Sequence, residues 1–369
     1  MKGLLIGKNF YNKSLNGGTM LDKRNYDILN DICDELDVYV IEENKPENKL
    51  FKLFNIIKNK NFYGLNEYDK KNIIRALRKK KYDFCYIASS LIGSLAYNIK
   101  KEIQDINIIV FFQNIECLYF EDLYRNNMLY KYIFSSIAKY NENMAVKYAD
   151  KLVLLNERDS KDLKNIYGKG ADFLFKMTVK DQYYKNDILK IKDVLNERKK
   201  ILFVGSDFFA NRQGIQWFVN NVWRDLQNIE LTIVGKDTER WKEFIKIKNI
   251  NIVGTVDDIK PYYEASDAII APIFLGSGMK TKTAEALMYG KYIFGTKEAF
   301  EGYELNYDNV GALCNTKEEF ILAINTKLKK YKYKYNKYSR KCFEENYSQD
   351  IFKEHIYRFL NNKIEGVKK

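Results

Sequence analysis

The chain has 369 residues, of which 46% are hydrophobic and 30% charged, a composition typical of a folded globular protein and not of a disordered one. Its length favours two domains, each large enough to bury its own core. The formal net charge of +13 suits an anionic small molecule or an anionic membrane surface, and the sequence carries no RNA- or DNA-reading motif, so nucleic acid is not expected as a partner.

Several kinds of chemistry are excluded by residue usage. The only histidine is His355, so Ser–His, Cys–His and histidine–metal sites are close to excluded, and no acid or cysteine cluster has metal-ligand spacing. The five cysteines form no C-x-x-C pair, which indicates reduced thiols. No apolar run approaches the about 20 residues of a spanning helix, and MKGLLIGKNF is too short in its apolar part for a signal peptide. We therefore expect a cytoplasmic protein.

The first half alternates short apolar runs with amphipathic segments, as in a domain built on a parallel sheet. The polar segment 45–70 is predicted to be irregular, and Lys70–Lys81 to be a basic helix that fits either anionic lipid headgroups or a solvated face packed on the sheet. Ser160 is predicted to cap a later helix. The predicted strands are Gly3–Gly7, Val38–Ile41, Phe84–Ile87, Ile106–Phe112 and Leu152–Leu155.

Two polar segments of this half follow predicted strands at their carboxyl ends, where α/β sheets place ligand-binding groups. Asn16, Gly17 and Gly18 come after the first strand and open a helix; the alternative is a tight turn without a ligand. Gln113 and Glu116 come directly after the fourth strand. Both segments are therefore candidate binding positions.

The second half repeats the alternation and contains the most informative stretch of the chain. Its first predicted strands are Ile201–Gly205 and Leu231–Gly235, and a third ends at Gly254–Val256. Asp267–Ile273 is then predicted as a buried strand, followed by the glycine loop Gly276–Gly278. A helix is predicted from Met279, with Gly290 at its C′ position, and Tyr292–Phe294 is the next strand.

A glycine loop that leads into a helix at the carboxyl end of a parallel strand predicts an anion site, because the first amides of the helix have no intrahelical partner. Lys280 and Lys282 add positive charge there, and Glu298–Gly302 could approach the ligand bound at this site from its other side. Glu285 shares their face one turn later and could accept hydrogen bonds from a ribose diol. The pattern predicts a nucleotide-diphosphate site; the alternative is that the lysines are ordinary solvated residues.

The segment PIFLGSGMKTKTAEALMYGKYIFGT resembles the donor site of GT-B glycosyltransferases, specifically glycosyltransferase family 4. The segments ILFVGSDFFANRQGIQWFVNNV, LTIVG, NIVGTVDDIKPYYEASDAIIAPI and YADKLVLLNERDSKDLKNIYG resemble other parts of that family. The resemblance implies two Rossmann-like domains that face each other across a cleft, with hinge closure. It implies an acceptor-side domain at 1–180, a nucleotide-sugar domain at 199–345 and a terminal helix at 346–369 that crosses back to the first domain.

The same resemblance implies a retaining, metal-independent transferase that moves a sugar from a nucleotide-diphosphate sugar to a saccharide or lipid-linked acceptor, with no other cofactor. Bacterial surface polysaccharide assembly is the expected setting, and the inner face of the plasma membrane a possible location. The implied donor residues are Gly205, Ser206, Val256, Ser277, Gly278, Met279, Lys280, Thr281, Lys282 and Glu285. The implied catalytic residues are Gln113, Lys280 and Arg212, and Asn16, Gly17, Gly18 and Glu116 line the acceptor side.

Three departures from the family pattern leave alternatives open. Gln113 stands where similar members often carry a histidine, Ser277 where many carry an acid that touches the sugar, and only Arg212 is present of the usual Arg and Lys pair. An inactive nucleotide-sugar-binding protein and a nucleotide-sugar epimerase remain alternatives. A nicotinamide dehydrogenase does not, because neither GLLIGKNF nor FVGSDFF has the G-x-G-x-x-G pattern.

Overall fold

The computed structural model describes residues 1–8, 10–11, 17–42, 49–183, 198–331 and 334–361. They form two units: the first contains Met1–Lys176 and the chain from Phe352 onward, and the second contains Met177–Ile351.

The first unit is built on a six-stranded sheet in which every pair of neighbouring strands is parallel. Its strands are β1 Lys2–Gly7, β2 Glu35–Val40, β3 Phe84–Ile87, β4 Asn107–Phe111, β5 Lys151–Leu154 and β6 Phe173–Leu174. Their order across the sheet is β2-β1-β3-β4-β5-β6. Its helices are α1 Gly17–Ile32, α2 Lys49–Asn59, α3 Glu67–Lys79, α4 Ser94–Glu102, α5 Glu116–Leu123, α6 Met128–Tyr148 and α7 Glu157–Tyr167, with a 3-10 turn at Ser90–Ile92.

The last helix of the chain, Gln349–Asn361, packs against the first unit over its residues from Phe352 onward. Phe352 stacks on Phe175 with ring centroids 5.8 Å apart, and Phe359 stacks on Phe173 at 4.6 Å. Lys353 forms an ion pair with Asp31 at 2.6 Å. The stacking buries apolar rings that the amphipathic period of this helix places on one face.

The second unit has a sheet of the same kind, with all neighbouring strands parallel. Its strands are β7 Lys199–Val204, β8 Ile229–Val234, β9 Ile250–Gly254, β10 Ala268–Ala271, β11 Tyr292–Gly295 and β12 Gly311–Leu313, in the order β12-β11-β10-β7-β8-β9. Its α-helices are α8 Phe209–Asn221, α9 Lys260–Ala265, α10 Thr281–Met288, α11 Tyr307–Val310, α12 Lys317–Leu322 and α13 Lys337–Asn346; the Gln349–Asn361 helix is α14. Short 3-10 segments lie at Trp223–Asp225, Thr238–Glu243 and Glu298–Phe300, and a π-helical turn at Ala323–Leu328.

These two sheets confirm the predicted fold class, and each predicted strand overlaps an observed one. The central strands are buried on both faces, as in β3 and β10, where all four residues are enclosed. Uninterrupted apolar runs are typical of such strands, because helices cover both faces of a parallel sheet.

Two local predictions for the first unit are wrong. The segment 45–70 is not irregular throughout, since it contains α2 and the start of α3. Ser160 does not cap α7: that helix begins at Glu157, and the side chain of Asn156 accepts the backbone N–H of Asp159 at 2.8 Å. The hydroxyl of Ser160 instead accepts the N–H of Ala171.

Candidate nucleotide-binding site

The order of the second sheet determines where a ligand can bind. From β7 the chain continues to β8 and β9 on one side, then returns to β10 on the other side of β7. The loops that follow β7 and β10 therefore leave the carboxyl edge of adjacent strands in opposite directions. In open α/β sheets this switch point forms the crevice in which ligands bind.

The loop after β10 requires its glycines. Gly276 has φ +122° and Gly278 φ +63°, values that residues with a Cβ rarely adopt. The loop ends at α10, with Lys280 in the N-cap position, and no side chain in the described part of the chain caps this helix. The first amides of α10 are thus available to an anion, and the helix dipole adds partial positive charge. Met279 is buried beside the loop, where its sulfur accepts the N–H of Met177 at 3.2 Å.

Lys282 lies in the first turn of α10 and is only 9% exposed. Its Nζ donates a hydrogen bond to Oδ1 of Asn211 at 2.7 Å and sits 4.2 Å from the centre of the Phe203 ring. Burial, and then the neighbouring charge of Lys280, lower the pKa of Lys282 to about 7. The cation is therefore held with an amide and an aromatic face around it, a setting that favours its pairing with an incoming anion.

Gly205, at the end of β7, leaves room for this arrangement. A Cβ at that position would lie 2.8 Å from Nδ2 of Asn211 and 3.0 Å from Nζ of Lys282. The next residue, Ser206, accepts the Asn211 amide through its backbone oxygen at 3.0 Å. The loops after β7 and β10 thus approach each other at Lys282, which brings together Gly205, Ser206 and Lys282, three residues that the sequence reasoning named as donor-binding.

Glu285 is 8% exposed and lies one turn after Lys282. Its Oε2 accepts a hydrogen bond from the hydroxyl of Tyr263 at 3.1 Å, and Tyr263 is fixed by stacking on Tyr289 at 4.5 Å. Burial raises the pKa of Glu285 to about 7, against the opposing effects of Tyr263 and Lys282. Nothing in the local sequence pattern predicted Tyr263, which comes from α9.

Lys280 takes part in an enclosed ion pair. Its Nζ is 2.7 Å from Oε1 of Glu298, and the two side chains are 13% and 17% exposed. The same Nζ donates to the carbonyl oxygens of Ser277 at 3.2 Å and Gly278 at 2.8 Å. The sequence reasoning expected Glu298 to approach a donor from the other side of the loop; in the structure its carboxylate contacts Lys280. Thr281, the first residue of α10, is half-buried beside them.

Arg212 is engaged by a neighbouring acid. It donates to both carboxylate oxygens of Asp207 at 2.6 Å, and Asp207 also accepts the indole N–H of Trp241 at 2.7 Å. Although partial burial raises it, the pKa of Asp207 is lowered on balance, because these donors stabilise the carboxylate. Sequence reasoning considered Arg212 as a phosphate ligand and missed Asp207.

The end of β9 presents backbone groups held by a glutamate. Gly254 has φ +99°, and the N–H of Thr255 donates to Oε2 of Glu239 at 3.2 Å. The hydroxyl of Thr255 accepts the N–H of Asp237 at 3.0 Å. Val256, named as a donor residue, follows them and is half-buried.

In the first unit, Gln113 lies after β4 and its amide donates to Oδ1 of Asp22 at 2.9 Å. Asp22 is 3% exposed and comes from α1, so the contact joins two segments that sequence reasoning selected separately. Gly17 begins α1 and Gly18 is half-buried there. Asn16 lies outside the described residues.

Glu116 opens α5 and is almost enclosed, with 4% of its surface exposed. Burial, and then the nearby carboxylate of Glu142, raise its pKa to about 8. Glu142 accepts the backbone N–H of Glu116 at 2.6 Å and the hydroxyl of Tyr167 at 2.6 Å. The structure thus makes Glu116 a largely neutral acid at pH 7, and Glu142 a cap for α5 that the sequence did not indicate.

Two properties of the described residues bear on the expected chemistry. No group of three or more histidine, cysteine, aspartate and glutamate side chains among them could hold a metal ion. Of the helices described, none is long and apolar enough to cross a bilayer.

Part of the chain matches a known family model. Residues 198–330 match the model of the family described as Glycosyl transferases group 1. A curated relative, an uncharacterized 44.6 kDa protein in the cps region of Klebsiella pneumoniae, is 25% identical over 263 residues, which cover 66% of this chain and 64% of the relative. The chain thus spans less than two thirds of that relative's length.

Solved structures share the architecture. Sucrose-phosphate synthase from Thermosynechococcus elongatus has a TM-score of 0.76 at 13% identity, over 99% of this chain and 100% of its own. Anabaena Alr3699/HepE in complex with UDP has a TM-score of 0.72 at 14% identity, over 98% and 100%. The lipopolysaccharide outer core galactosyltransferase WaaB has 0.63 at 12%, over 98% and 100%. The protein therefore has the GT-B fold, and its residues 198–330 match the glycosyl transferases group 1 family.

Proposed function

We propose that this protein is a retaining glycosyltransferase that moves a sugar from a nucleotide-diphosphate sugar to a saccharide or lipid-linked acceptor in bacterial surface polysaccharide biosynthesis. The observation that carries the proposal lies on helix α10, at the switch point of the second sheet. Its N-terminus is capped by no side chain that the structure describes, and a buried carboxyl group follows one turn later. The family match of the same residues supports it, as does a relative that lies in a cps region.

In this proposal the diphosphate binds at the start of α10. The amides of Thr281 and Lys282 point out of the helix, and Lys280 and Lys282 stand beside them. These groups are positioned before the reaction begins, so they can stabilise the charge that develops on the departing diphosphate without reorganisation. We propose that these protein groups neutralise the diphosphate and that no metal ion is needed.

Glu285 is proposed to hold the ribose. A carboxylate has two acceptor oxygens, which match the two hydroxyls of a ribose diol, and Tyr263 fixes one of these oxygens in orientation. The backbone at Gly254–Val256 is proposed to contact the base, since its polar groups lie at the carboxyl end of β9. Arg212, held by Asp207, is proposed to approach the phosphates from α8.

The transfer breaks the bond between the anomeric carbon and the diphosphate oxygen and forms a bond from that carbon to the acceptor oxygen on the same face. The acceptor proton passes to an oxygen of the leaving phosphate. A protein base is then unnecessary, which agrees with Gln113, since an amide takes no proton at neutral pH. Gln113 is proposed to hydrogen-bond a sugar hydroxyl. Gly17, Gly18 and Glu116 are proposed to line the acceptor side.

We also propose a cytoplasmic protein that contacts the inner face of the plasma membrane through its positive charge. Helix α3 uses its apolar residues Ile73 and Leu77 in the core, so it offers lipid only its basic face. Helix α2 differs: Phe54 is 58% and Ile57 44% exposed, in a segment with no acidic residue. It is therefore the better candidate for contact with anionic lipid.

The test is a panel of UDP-, GDP-, ADP- and TDP-sugars offered to the purified protein. A transferase releases free nucleotide slowly without an acceptor; binding without release indicates an inactive sugar-nucleotide-binding protein, and isomerisation of the sugar indicates an epimerase. Glu285→Ala is expected to weaken binding at least about tenfold, the cost of losing a buried charged hydrogen bond. The proposal fails if no nucleotide-sugar binds to the wild type. It also fails if Glu285→Ala binds nucleotide-sugar with wild-type affinity, as the matched surface variant Glu264→Ala is expected to do.

A further inference from the structure

One carboxylate stands among the cations at the start of α10. Oε1 of Glu298 is 2.7 Å from Nζ of Lys280, and the same Nζ contacts the carbonyl oxygens of Ser277 and Gly278. The pair is more than four-fifths enclosed on both sides. Water screens such a pair much less than an exposed one, so the negative charge of Glu298 acts on whatever binds beside Lys280.

The backbone beside Glu298 is held by hydrogen bonds that do not depend on the ion pair. This residue begins the 3-10 turn Glu298–Phe300, whose next residue, Ala299, accepts the hydroxyl of Thr283 at 2.8 Å. Beyond the turn, the hydroxyl of Tyr303 donates to the carbonyl of Lys280 at 2.8 Å. The segment that carries Glu298 is thus joined to the start of α10 by two hydrogen bonds, one within the turn and one beyond it, and these contacts hold the acid beside the anion site.

A fixed carboxylate in an anion site repels ligands according to their charge, and a nucleotide-sugar and a free nucleoside diphosphate differ in charge. In a nucleotide-sugar both phosphates are diesters, with about one negative charge each. In the free nucleoside diphosphate the terminal phosphate is a monoester, which gains up to about one more charge above pH ~6. The sugar donor and the nucleotide product therefore differ in charge at the end of the diphosphate, and a nearby carboxylate repels the product more strongly.

We propose that Glu298 makes this site discriminate against free nucleoside diphosphate in favour of nucleotide-sugar, and so promotes product release. This inference rests on the proposed function and adds a specificity-determining residue to it. The cations at the start of α10 attract both ligands and attract the more highly charged product more strongly. Glu298 offsets this preference, because its repulsion also falls mainly on the product. One extra charge about 10 Å away at an effective dielectric constant of about 20 corresponds to an affinity difference on the order of tenfold.

The test compares two variants that remove the same charge. Glu298→Gln keeps the shape of the side chain at the site, and Glu318→Gln removes an exposed carboxylate on α12 in the same unit. Titration calorimetry measures the dissociation constants of UDP and UDP-glucose, or of whichever diphosphate and sugar pair from the panel the wild type binds, at about pH 7.5. Glu298→Ala serves as a second variant if thermal melting shows that Glu298→Gln is not folded.

For Glu298→Gln we expect free nucleoside diphosphate to bind about tenfold tighter and the nucleotide-sugar to change by less than about threefold, while Glu318→Gln changes neither. Product inhibition of turnover should strengthen in parallel. The inference is overturned if both ligands tighten equally in the Glu298 variant, or if neither changes, even though the wild type binds nucleotide-sugar. If the wild type binds no nucleotide of the panel, the proposed function itself has failed, and this inference with it.

Discussion

Replacement of Lys282 by methionine is expected to make the ligand-free protein more stable and its nucleotide binding weaker. In the folded protein the pKa of Lys282 is lowered from 10.5 to about 7, chiefly by burial. Each pKa unit corresponds to about 1.4 kcal/mol, so the full shift sets an upper bound of about 5 kcal/mol on the cost of the charged form near pH 7. Relaxation of the surroundings and water penetration bring the effective cost below this bound, to a few kcal/mol.

The substitution has a cost of its own, because Oδ1 of Asn211 loses the donor that now lies 2.7 Å away. An unsatisfied buried acceptor costs about 1–2 kcal/mol, so the net gain at pH 7 is about 1 kcal/mol. That gain corresponds to a rise of about 2–4 °C in the melting temperature of a unit of this size. Nucleotide affinity should fall at least about tenfold, since a buried charge-assisted contact to phosphate is lost.

Lys291 provides the matched control. It is fully buried just beyond the other end of α10, and its pKa is likewise lowered to about 7, first by burial and then by Lys334. Its Nζ donates to the carbonyl oxygens of Ser266 and Lys334 at 2.9 and 3.0 Å. Lys291→Met should change the melting temperature and leave nucleotide affinity unaltered. If Lys282→Met destabilises the protein, or if both variants bind nucleotide equally well, the reasoning is refuted.

Three further outcomes are expected. At about pH 8 Glu285 is already mostly ionised and Lys282 mostly neutral, so diphosphate binding should take up close to one proton and should weaken as the pH rises from about 7. Calorimetry in buffers of different ionisation enthalpy measures this proton uptake. Equal proton uptake by Lys282→Met would contradict the prediction. Gly214→Ala should lower the free energy of unfolding by about 3 kcal/mol or more, because a Cβ would lie 1.9 Å from the carbonyl oxygen of Pro272. Thermal unfolding measures this loss, and an unchanged melting temperature would show that this contact is wrong. Gly205→Ala should retain the fold but bind nucleotide several-fold more weakly, since its Cβ would displace the Lys282 ammonium; unchanged affinity would exclude that lysine from the site.

The fold was predictable from the sequence to the extent that local patterns determine it. Phe84–Ile87 is an apolar run buried on both faces, and its bounds could be read directly. Gly290 was predictable as the residue after a helix because a left-handed C′ position favours glycine, and its φ is +58°. The wrong N-cap prediction for α7 shows the limit of local patterns. Asn156 and Ser160 are both good cap residues, and the choice between them depends on where the backbone leaves β5.

The candidate site was predictable only in part, because its decisive contacts join distant segments. Lys280, Lys282 and Glu285 follow from the spacing of one helix. Their partners do not: Asn211 lies 71 residues before Lys282, and Tyr263 lies 22 residues before Glu285. Such contacts arise only once the order of strands in the sheet brings β7, β10 and their loops together, and no local period encodes that order.

The central claim is that Glu285 holds the ribose while the start of α10 holds the diphosphate. A double-mutant cycle measures it directly, with the preferred nucleoside diphosphate and its 2′,3′-dideoxy analogue each titrated into the wild type and Glu285→Ala. We predict that removal of the two hydroxyls costs the wild type at least about 1.4 kcal/mol and costs the variant almost nothing. Equal losses in the two proteins would contradict the claim, since the carboxylate and the ribose would then bind independently.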